Sequence, residues 1–326
     1  MSTAPLPKTV PDVTPAEAER FLSALFGAPV ADVALIGAGM FARAFAFEAG
    51  EHALVFRVNS FAVDFQKDTL AAQRFASPAL PVPAVVSMGR YSDGLYYAVT
   101  QRCPGKTIER MTEDEERATA ASLLDALDAI HAIDASNYDG WGLTDGMGQG
   151  QFPSWPEYLL SLYNQKQDYD WDALPNHPLL EWDMFQGLYA EMRRLLVYCP
   201  PQKFVVHGDY GFDNVVGEAG RVTGVLDWAE MRLGDFLYDV AVLDFYSKRV
   251  PYGDIWRARA VARGQAVPHF DERMRCYMLT IGLGAMLIAA AHGDRRDYIR
   301  ERARTASVLL PGRRAPTDWT QEAHGG

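Results

Sequence analysis

The alternation of hydrophobic and polar positions divides the chain into a β-rich first part and a helical second part. Apolar residues at helical spacing follow Thr14 and Pro15, which suit the cap and the first position of a helix. A second helical pattern covers residues 64–75. Around it lie five apolar runs of strand length, at residues 33–36, 42–48, 53–58, 84–88 and 95–101. The pattern predicts a small, strand-rich unit that ends near residue 101.

The pattern becomes mainly helical after residue 101. A Cys-Pro-Gly break at residues 103–105 ends the last run, and Thr112 begins a helical pattern that reaches about residue 133. Residues 155–198 are also mostly helical in pattern, and their aromatic side chains favour packing over stacking against a sugar. The aromatic positions concerned are Trp155, Tyr158, Tyr163, Tyr169 and Trp171.

Two further apolar runs, at residues 204–206 and 222–226, precede more helical sequence. The order of elements predicts an α+β protein with a small β-rich lobe at residues 1–101. A larger, mainly helical lobe is predicted at residues 102–326. Nucleotide pockets often lie at a junction of this kind, so we expect a binding site between the two lobes.

The composition of the chain argues against several classes of function. The net charge of −11 argues against a nucleic-acid-binding protein and is compatible with a cationic ligand. Three widely spaced cysteines form no metal or disulfide pattern, and the first residues carry no signal pattern, so we expect a cytoplasmic protein. The most apolar stretch, residues 277–291, is short and contains two glycines. It predicts a buried core helix, and we expect a monomer without a membrane partner.

The residues that can perform chemistry are concentrated between positions 204 and 239. An apolar run leads into His207-Gly208-Asp209, Asn214 follows five residues after the aspartate, and Asp227 ends the next run. Phosphoryl transfer needs a carboxylate to orient the attacking hydroxyl and oxygen ligands to hold magnesium at the phosphates. The short pattern alone is common in ordinary loops. Its combination with two flanking strands matches the catalytic loop and metal-binding aspartate of kinases.

The segments HGDYGFDN, GVLDW and GDFLYD resemble the aminoglycoside phosphotransferase family, relatives of the protein kinases that act on small molecules. RAFAFEAGEHALVFRVNSFAVDFQKD and RCYMLTIGL are similar to the hygromycin B phosphotransferases within that family. The resemblance is weakest at residues 155–200, which help to shape the acceptor pocket in this family. It implies a protein-kinase-like two-lobed fold, Mg²⁺, ATP or GTP as phosphoryl donor, and a small cationic antibiotic as acceptor.

The resemblance also implies roles for individual residues of the catalytic segment. Asp209 would be the catalytic base that orients the acceptor hydroxyl. Asn214 and Asp227 would ligate magnesium. Asp235 and Asp239 match the GDxxxD signature of the family, for which we expect a structural role in bracing the catalytic loop.

Nucleotide-binding positions are implied in the first part of the chain. Gly37 and Gly39 occupy the place of the phosphate-covering loop, although without the resemblance a plain hairpin turn would be the favoured interpretation. Backbone groups from Gln101 to Cys103 would bind the edge of the adenine base. Side-chain identity at this hinge carries little information, because the contacts are made by the backbone.

Two basic residues are candidates for contacts with the nucleotide phosphates. Arg57 stands where most kinases place a lysine, and arginine offers bidentate donors to phosphate. A strand-edge arginine in a surface salt bridge is the alternative interpretation. Lys67 is a second candidate, although a solvated helix lysine is the favoured interpretation. The sequence identifies no acidic partner for either cation.

Acidic residues near the catalytic segment are candidates for binding a substrate ammonium group. Glu230 follows the metal-binding strand and is the leading candidate. Asp213, Asp271 and Glu272 are weaker candidates, since solvated surface charges would explain each of them.

Three functions are compatible with these residues. The leading hypothesis is a kinase that phosphorylates and inactivates an aminocyclitol antibiotic such as hygromycin B. A kinase of another acceptor, such as a macrolide, a sugar or an amino alcohol, would share the fold and the reaction. A non-catalytic nucleotide-binding regulator is the third possibility, and the joint presence of Asp209, Asn214 and Asp227 argues against it.

Overall fold

The structure is a computed structural model that describes residues 10–39, 42–162 and 176–310. Within these ranges, the helices are α1 (Pro15–Phe26), α2 (Ala62–Arg74), α3 (Glu113–His131), α4 (Trp155–Ser161), α5 (Trp182–Leu195), α6 (Leu237–Tyr246), α7 (Tyr252–Ala262), α8 (Phe270–Ala291) and α9 (Arg295–Ser307). The strands are β1 (Ala31–Ala38), β2 (Ala42–Ala49), β3 (His52–Asn59), β4 (Val85–Ser92), β5 (Leu95–Gln101), β6 (Lys106–Thr107), β7 (Trp141–Thr144), β8 (Gly150–Phe152), β9 (Phe204–Val206), β10 (Val215–Glu218), β11 (Arg221–Val225) and β12 (Arg232–Gly234).

The first part of the chain is an antiparallel sheet of five strands in the order β1-β2-β3-β5-β4. Helix α1 packs on it, and a Thr14–Glu17 capping box fixes the start of that helix as the sequence predicts. Apolar side chains of α1 and of alternate strand positions form a hydrophobic cluster that includes Leu22, Phe45 and Phe56. The predicted strand runs and both helical patterns in this part are confirmed.

The second part is mainly helical and has a larger hydrophobic cluster of its own. Two small sheets lie within it, in the orders β11-β10-β6 and β8-β7-β12-β9. The sequence pattern did not predict β6, β7, β8, β10 or β12, because runs of two to four residues carry too little periodicity. The strands β9 and β12 pair with each other, and both lead into the catalytic segment.

Helix α8 runs through the second part. It is long and apolar enough to cross a membrane, but 67% of its most apolar window is buried inside the protein. This burial is typical of a core helix, as the sequence predicts. The small N-terminal sheet and the helical remainder confirm the predicted fold class. The boundary at residue 101 stays a prediction, since Ala71, Phe75 and Leu80 before it pack into the larger cluster.

Candidate active site

The catalytic loop begins where β9 ends. Gly208 has a φ of +87°, a backbone conformation that favours glycine, and a Cβ atom there would collide with the carbonyl oxygen of Glu230 and with Arg232 Nε. The loop therefore requires glycine between His207 and Asp209. This close approach places the segment of Glu230 directly against the catalytic loop.

Asp239 braces the catalytic loop from α6. Its two carboxylate oxygens accept hydrogen bonds from the backbone amides of His207 and Gly208 at 2.8 and 2.7 Å. This confirms the predicted bracing role for Asp239. Asp235 holds a different element, because its carboxylate pairs with Arg273 on α8 at 2.6 Å and accepts a hydrogen bond from Tyr277.

His207 connects the catalytic loop with the strand that precedes Asp227. Burial lowers the pKa of His207, so the imidazole is neutral. Its Nε2 lies 2.9 Å from the carbonyl oxygen of Leu226, which can only accept, so Nε2 carries the proton. Its Nδ1 then accepts from the Asp209 amide at 3.3 Å. The His207 imidazole therefore holds the backbone at Leu226, just before Asp227, and the backbone at Asp209.

Asp209, Asn214 and Asp227 converge as the sequence spacing suggests. Asn214 Nδ2 donates to the Asp209 carboxylate at 2.8 Å and to the Asp209 carbonyl oxygen at 3.0 Å. Asn214 also carries an amide oxygen, which is a donor of the kind that magnesium accepts. Asp227 has a φ of +56°, and its carboxylate lies 3.4 Å from Arg57. The three side chains therefore supply a base candidate and two hard oxygen donors.

Asp209 has an unusual electrostatic environment. The side chain is exposed to solvent, but it lies in a recess of the protein, where it lines a cavity. Desolvation by the surrounding protein, followed by the negative charges of Asp213, Glu230 and Asp227, raises the pKa of Asp209 to about 7. A divalent cation at Asn214 and Asp227 would lower this pKa again by attraction.

Asn214 and Asp227 fit a magnesium ion by their chemistry. Among the residues that the structure describes, no group of three His, Cys, Asp or Glu side chains could hold a metal by itself. Magnesium in kinases commonly takes one or two protein oxygens and completes its shell with phosphate oxygens and water. The pair therefore fits an ion that arrives with a nucleotide better than a resident structural ion.

Arg57 lies on the central strand β3 and not at a sheet edge. Its guanidinium pairs with Asp68 on α2, and the two side chains are 17% and 7% exposed. The alternative of a surface salt bridge is therefore wrong. Asp68 also accepts a hydrogen bond from the Trp228 amide at 2.8 Å. The sequence analysis missed Asp68, although its position on the helix after β3 is where kinases carry the acidic partner of the phosphate-binding cation.

The interpretation of Lys67 as a solvated lysine is also wrong. The side chain is 1% exposed, and its Nζ donates to the carbonyl oxygen of Ala229 at 2.8 Å. The sequence could not show this contact because the two residues are 162 positions apart. Lys67 and Asp68 together fix the turn that follows Asp227 against α2.

A cavity of about 370 Å³ opens between the N-terminal sheet and the catalytic segment, and we call it the sheet-side cavity. Its walls include the predicted nucleotide residues Gly37, Arg57, Gln101 and Cys103, together with Asp68. Burial raises the pKa of the Cys103 thiol to about 11, so this thiol is neutral.

Two of the three backbone amides in the link at residues 101–103 already donate hydrogen bonds to neighbouring strands or loops. The amides of Gln101 and Arg102 donate to Ala84 and Ala53 at 3.0 and 3.1 Å. The next amide along the link belongs to Cys103, which also lines the cavity. The link can therefore offer the Cys103 amide to a ligand without breaking a strand contact.

A second cavity of about 450 Å³ lies on the other side of the catalytic loop, and we call it the helix-side cavity. Five carboxylates line it, which are Asp64, Asp209, Asp213, Asp227 and Glu230. Helices α4, α6 and α8 supply much of the remaining wall, and Ala42 of β2, Asn59 of β3 and Arg232 of β12 also line it. Gly39 also lines this cavity, whereas Gly37 lines the sheet-side cavity.

Glu230 is held in place by a buried arginine. Arg232 donates to the Glu230 carboxylate at 2.7 Å and to its carbonyl oxygen at 2.9 Å. The guanidinium lies 4.6 Å from the ring centre of Tyr238 and 5.5 Å from that of Tyr158. The sequence analysis did not single out Arg232. Its GDxxxD context gave no signal for an arginine packed between aromatic rings.

The structure does not bring Asp271 and Glu272 to the site. Both lie in the first turn of α8, and neither lines the helix-side cavity. Asp271 is exposed and pairs with Arg257 at 2.8 Å. The acidic residues of a first helical turn are stabilised by the helix dipole, which explains them without a substrate. Their selection as acceptor ligands is wrong.

Two residues of the predicted aromatic set lie in the structure as packing side chains. Trp155 is 1% exposed and donates through its indole nitrogen to Tyr277 at 3.2 Å. Tyr158 stacks on Trp155 with the ring centres 5.2 Å apart, and it also lines the helix-side cavity. The other three positions, Tyr163, Tyr169 and Trp171, lie outside the described residues.

The two cavities share three residues, Asp213, Asn214 and Asp227. Asp209 lines the helix-side cavity and not the sheet-side cavity. A ligand with phosphates in the sheet-side cavity would therefore meet a second ligand at Asn214 and Asp227. The base candidate lies on the side of the second ligand.

Comparisons with known proteins agree with this geometry. The model of a family described as the phosphotransferase enzyme family matches residues 32–275. Hygromycin-B 4-O-kinase of Escherichia coli is 30% identical over 314 residues, which cover 93% of this chain and 87% of that protein.

Solved structures give the same result. The crystal structure of aminoglycoside phosphotransferase APH(4)-Ia matches with a TM-score of 0.80 at 30% identity, covering 92% of this chain and 100% of that one. A thermostable variant of that enzyme in a ternary complex with AMP-PNP and hygromycin B matches with a TM-score of 0.78. That match is 30% identical and covers 89% of this chain and 97% of the other.

Proposed function

The chain belongs to the phosphotransferase enzyme family, and we propose that it transfers the γ-phosphoryl group of ATP or GTP to a hydroxyl of an aminoglycoside or aminocyclitol antibiotic. Hygromycin B is the leading acceptor, and phosphorylation would inactivate it. The observation that carries the proposal is the junction of the two cavities at Asn214 and Asp227, with Asp209 on the helix side. The identity to hygromycin-B 4-O-kinase over most of the chain supports the choice of acceptor.

Asp209 acts as the base in this proposal. The acceptor hydroxyl lies in the helix-side cavity and gives its proton to the Asp209 carboxylate as its oxygen attacks the γ-phosphorus. The bond between the γ-phosphorus and the β–γ bridging oxygen breaks, and the nucleoside diphosphate leaves with that oxygen. Without a metal ion the surrounding protein raises the pKa of Asp209 to about 7, and a Mg²⁺ ion at Asn214 and Asp227 would lower it, so the carboxylate would be ionised and able to accept the proton at neutral pH. The hydrogen bond from Asn214 and the backbone contact from His207 hold the carboxylate in one orientation.

The nucleotide occupies the sheet-side cavity. The Cys103 amide binds the base edge, and Arg57, oriented by Asp68, binds the phosphates. Asn214 and Asp227 would hold Mg²⁺, which would supply positive charge to neutralise the charge that develops on the phosphates. Lys67 supports this arrangement indirectly, because it fixes the turn after Asp227.

The helix-side cavity suits a polycationic acceptor. Several converging carboxylates favour a polyamine, whereas a purely apolar wall would favour a macrolide. Asp213 and Glu230 are the carboxylates that we assign to acceptor ammonium groups, since Asp209 and Asp227 have other roles. The net charge of −11 would also attract a polycation over longer distances. A cytoplasmic location and a monomeric state remain predictions.

The test is nucleoside-diphosphate release with Mg²⁺ and ATP or GTP against a panel of aminoglycosides that includes hygromycin B. Mass spectrometry then checks for one added phosphate on the acceptor, and the variant Asp209→Ala serves as the blank. We expect turnover with hygromycin B at micromolar concentrations. Nucleotide binding without turnover of any panel member would overturn the proposed acceptor class.

A further inference from the structure

Helix α8 contains two glycines, and only one of them is explained by packing. A Cβ atom at Gly282 would collide with the Thr305 side chain on α9. A Cβ atom at Gly284 would meet no atom of the residues that the structure describes within 4 Å. Glycine weakens a helix interior relative to alanine, and packing does not account for it at Gly284.

The two glycines face different sides of α8. Two residues along an α-helix correspond to a rotation of about 200°, so Gly284 points away from α9 if Gly282 points toward it. Residues spaced by three and four positions share one helix face. Ile281, Gly284, Ala285 and Ile288 follow this spacing, and all four line the helix-side cavity. The space beside Gly284 is therefore part of that cavity.

The helix-side cavity thus has two chemically different walls. One wall carries Asp213 and Glu230, and the other is the uncharged face of α8. A ligand that fills the cavity has cationic groups on one side and an uncharged portion on the other. The missing side chain at Gly284 sets how bulky that uncharged portion can be.

We propose that Gly284 is a specificity-determining residue, which leaves room on α8 for an uncharged ring of the acceptor. The inference rests on the proposed function, because it takes the helix-side cavity as the acceptor site. It adds the subsite for the part of the acceptor that carries no ammonium group. A methyl group at Gly284 enters this subsite without a clash, since no atom of the described residues lies within 4 Å of the Cβ position, and a larger side chain extends further into the cavity.

The experiment measures KM for hygromycin B and KM for ATP in the wild-type protein and in the variants Gly284→Ala and Gly284→Phe. We expect Gly284→Phe to raise KM for hygromycin B by about tenfold or more, the scale on which small changes of volume alter discrimination in an apolar pocket. Gly284→Ala should give a smaller rise. KM for ATP should stay unchanged in both variants, because Gly284 does not line the sheet-side cavity.

Gly187 on α5 provides a matched control. It is an exposed helical glycine, and a Cβ atom there would also meet no atom within 4 Å. Both Gly187→Ala and Gly284→Ala should raise the midpoint of thermal unfolding slightly, since alanine favours the helix. Only Gly284→Ala should change KM for hygromycin B.

The outcomes separate this inference from the proposed function. Wild-type turnover of hygromycin B with an unchanged acceptor KM in Gly284→Phe would overturn the role of Gly284 alone. Absence of wild-type turnover with every aminoglycoside would overturn the proposed function and this inference with it. If Gly284→Phe does not fold, the inference is judged on Gly284→Ala against Gly187→Ala, and equal acceptor KM values in that pair overturn it.

Discussion

The sheet-side and helix-side cavities meet at Asp213, Asn214 and Asp227 but differ in the balance of charge on their walls. The sheet-side cavity has four acidic side chains and four basic ones, and the basic ones suit the phosphates of a nucleotide. The helix-side cavity has five carboxylates and one arginine together with an uncharged helix face, which suit an amine-bearing acceptor. The difference teaches that the balance of acidic and basic side chains can favour each proposed substrate on its own side.

The two cavities also differ in how the chain builds them. Five strands of one sheet supply much of the N-terminal wall of the sheet-side cavity, and the rest of its lining reaches Trp228. The lining of the helix-side cavity extends to Ile288 on α8. Substitutions at the junction should therefore affect both substrates, and substitutions away from it should affect only one.

The largest effect should come from Asp209→Asn, which changes a residue that lines the helix-side cavity and not the sheet-side cavity. We expect kcat to fall by about 10²–10⁴-fold, the usual contribution of a general base, while ATP binding stays unchanged. Steady-state kinetics and calorimetric titration with ATP measure the two quantities. The control is Asp271→Asn, an exposed carboxylate outside both cavities, which should behave as wild type. A matching loss of ATP affinity in Asp209→Asn would contradict the separation of the cavities.

Asp227→Asn should affect both sides because the residue lies at the junction. We expect the Mg²⁺ concentration for half-maximal activity to rise by about 10–100-fold or more, as is typical when support for a metal is removed. Apparent ATP affinity should fall with it. Chelation of Mg²⁺ by EDTA should stop wild-type turnover, and added Mg²⁺ should restore it. Activity that persists in EDTA would refute the metal role of Asp227.

Asp68→Asn should weaken the sheet side alone. The change leaves the half-buried Arg57 with a poorer partner, so we expect a loss of about 1–3 kcal/mol in unfolding free energy together with a raised KM for ATP. KM for the acceptor should not change. Asp93→Asn removes an exposed ion pair with Arg90 on the same sheet and should alter stability by less than about 0.5 kcal/mol. Equal losses in the two variants would show that Asp68 is only a surface charge.

Glu230→Gln should give the smallest effect, and it tests whether the helix-side cavity binds the acceptor through a carboxylate charge. The amide keeps the shape and can still accept from Arg232, but it loses the charge that attracts an ammonium group. We expect KM for the acceptor to rise by about tenfold, the scale of one charge-assisted hydrogen bond. KM for ATP should stay constant. A rise in KM for ATP of the same size would remove Glu230 from the acceptor site.

The sequence predicted the catalytic segment and the family resemblance well, because the informative residues lie close together. Asp209, Asn214 and Asp227 span 19 positions, and two strands and a loop fix their relation. The resemblance to the aminoglycoside phosphotransferases is confirmed by the family match and the solved structures. Short motifs of this kind survive in a sequence because their geometry is local.

The contacts that the sequence did not predict join distant parts of the chain. The sequence around Lys67 indicates only an ordinary helix lysine, because its hydrogen-bond partner, Ala229, is 162 positions away in the chain. Arg232 and the Gly284 face of α8 give no periodic or motif signal, since each acquires its role only from the packing of other elements. The acidic turn at Asp271 and Glu272 gave a false signal, because helix starts favour acidic residues regardless of function.

The interlock at Gly208 has a consequence for how new substrate preferences can arise in this protein. The backbone of the catalytic loop lies so close to the Glu230 carbonyl oxygen and the Arg232 guanidinium that a shift of that backbone or a substitution of Arg232 also disturbs the catalytic loop. Substitutions on the face of α8 that lines the helix-side cavity should not disturb the catalytic loop in this way. Inherited variation that alters acceptor choice without loss of activity should therefore accumulate on α8 first. The close contact at Gly208 therefore limits the substitutions that the enzyme can accept near the catalytic loop, whereas α8 can accept substitutions that change the acceptor.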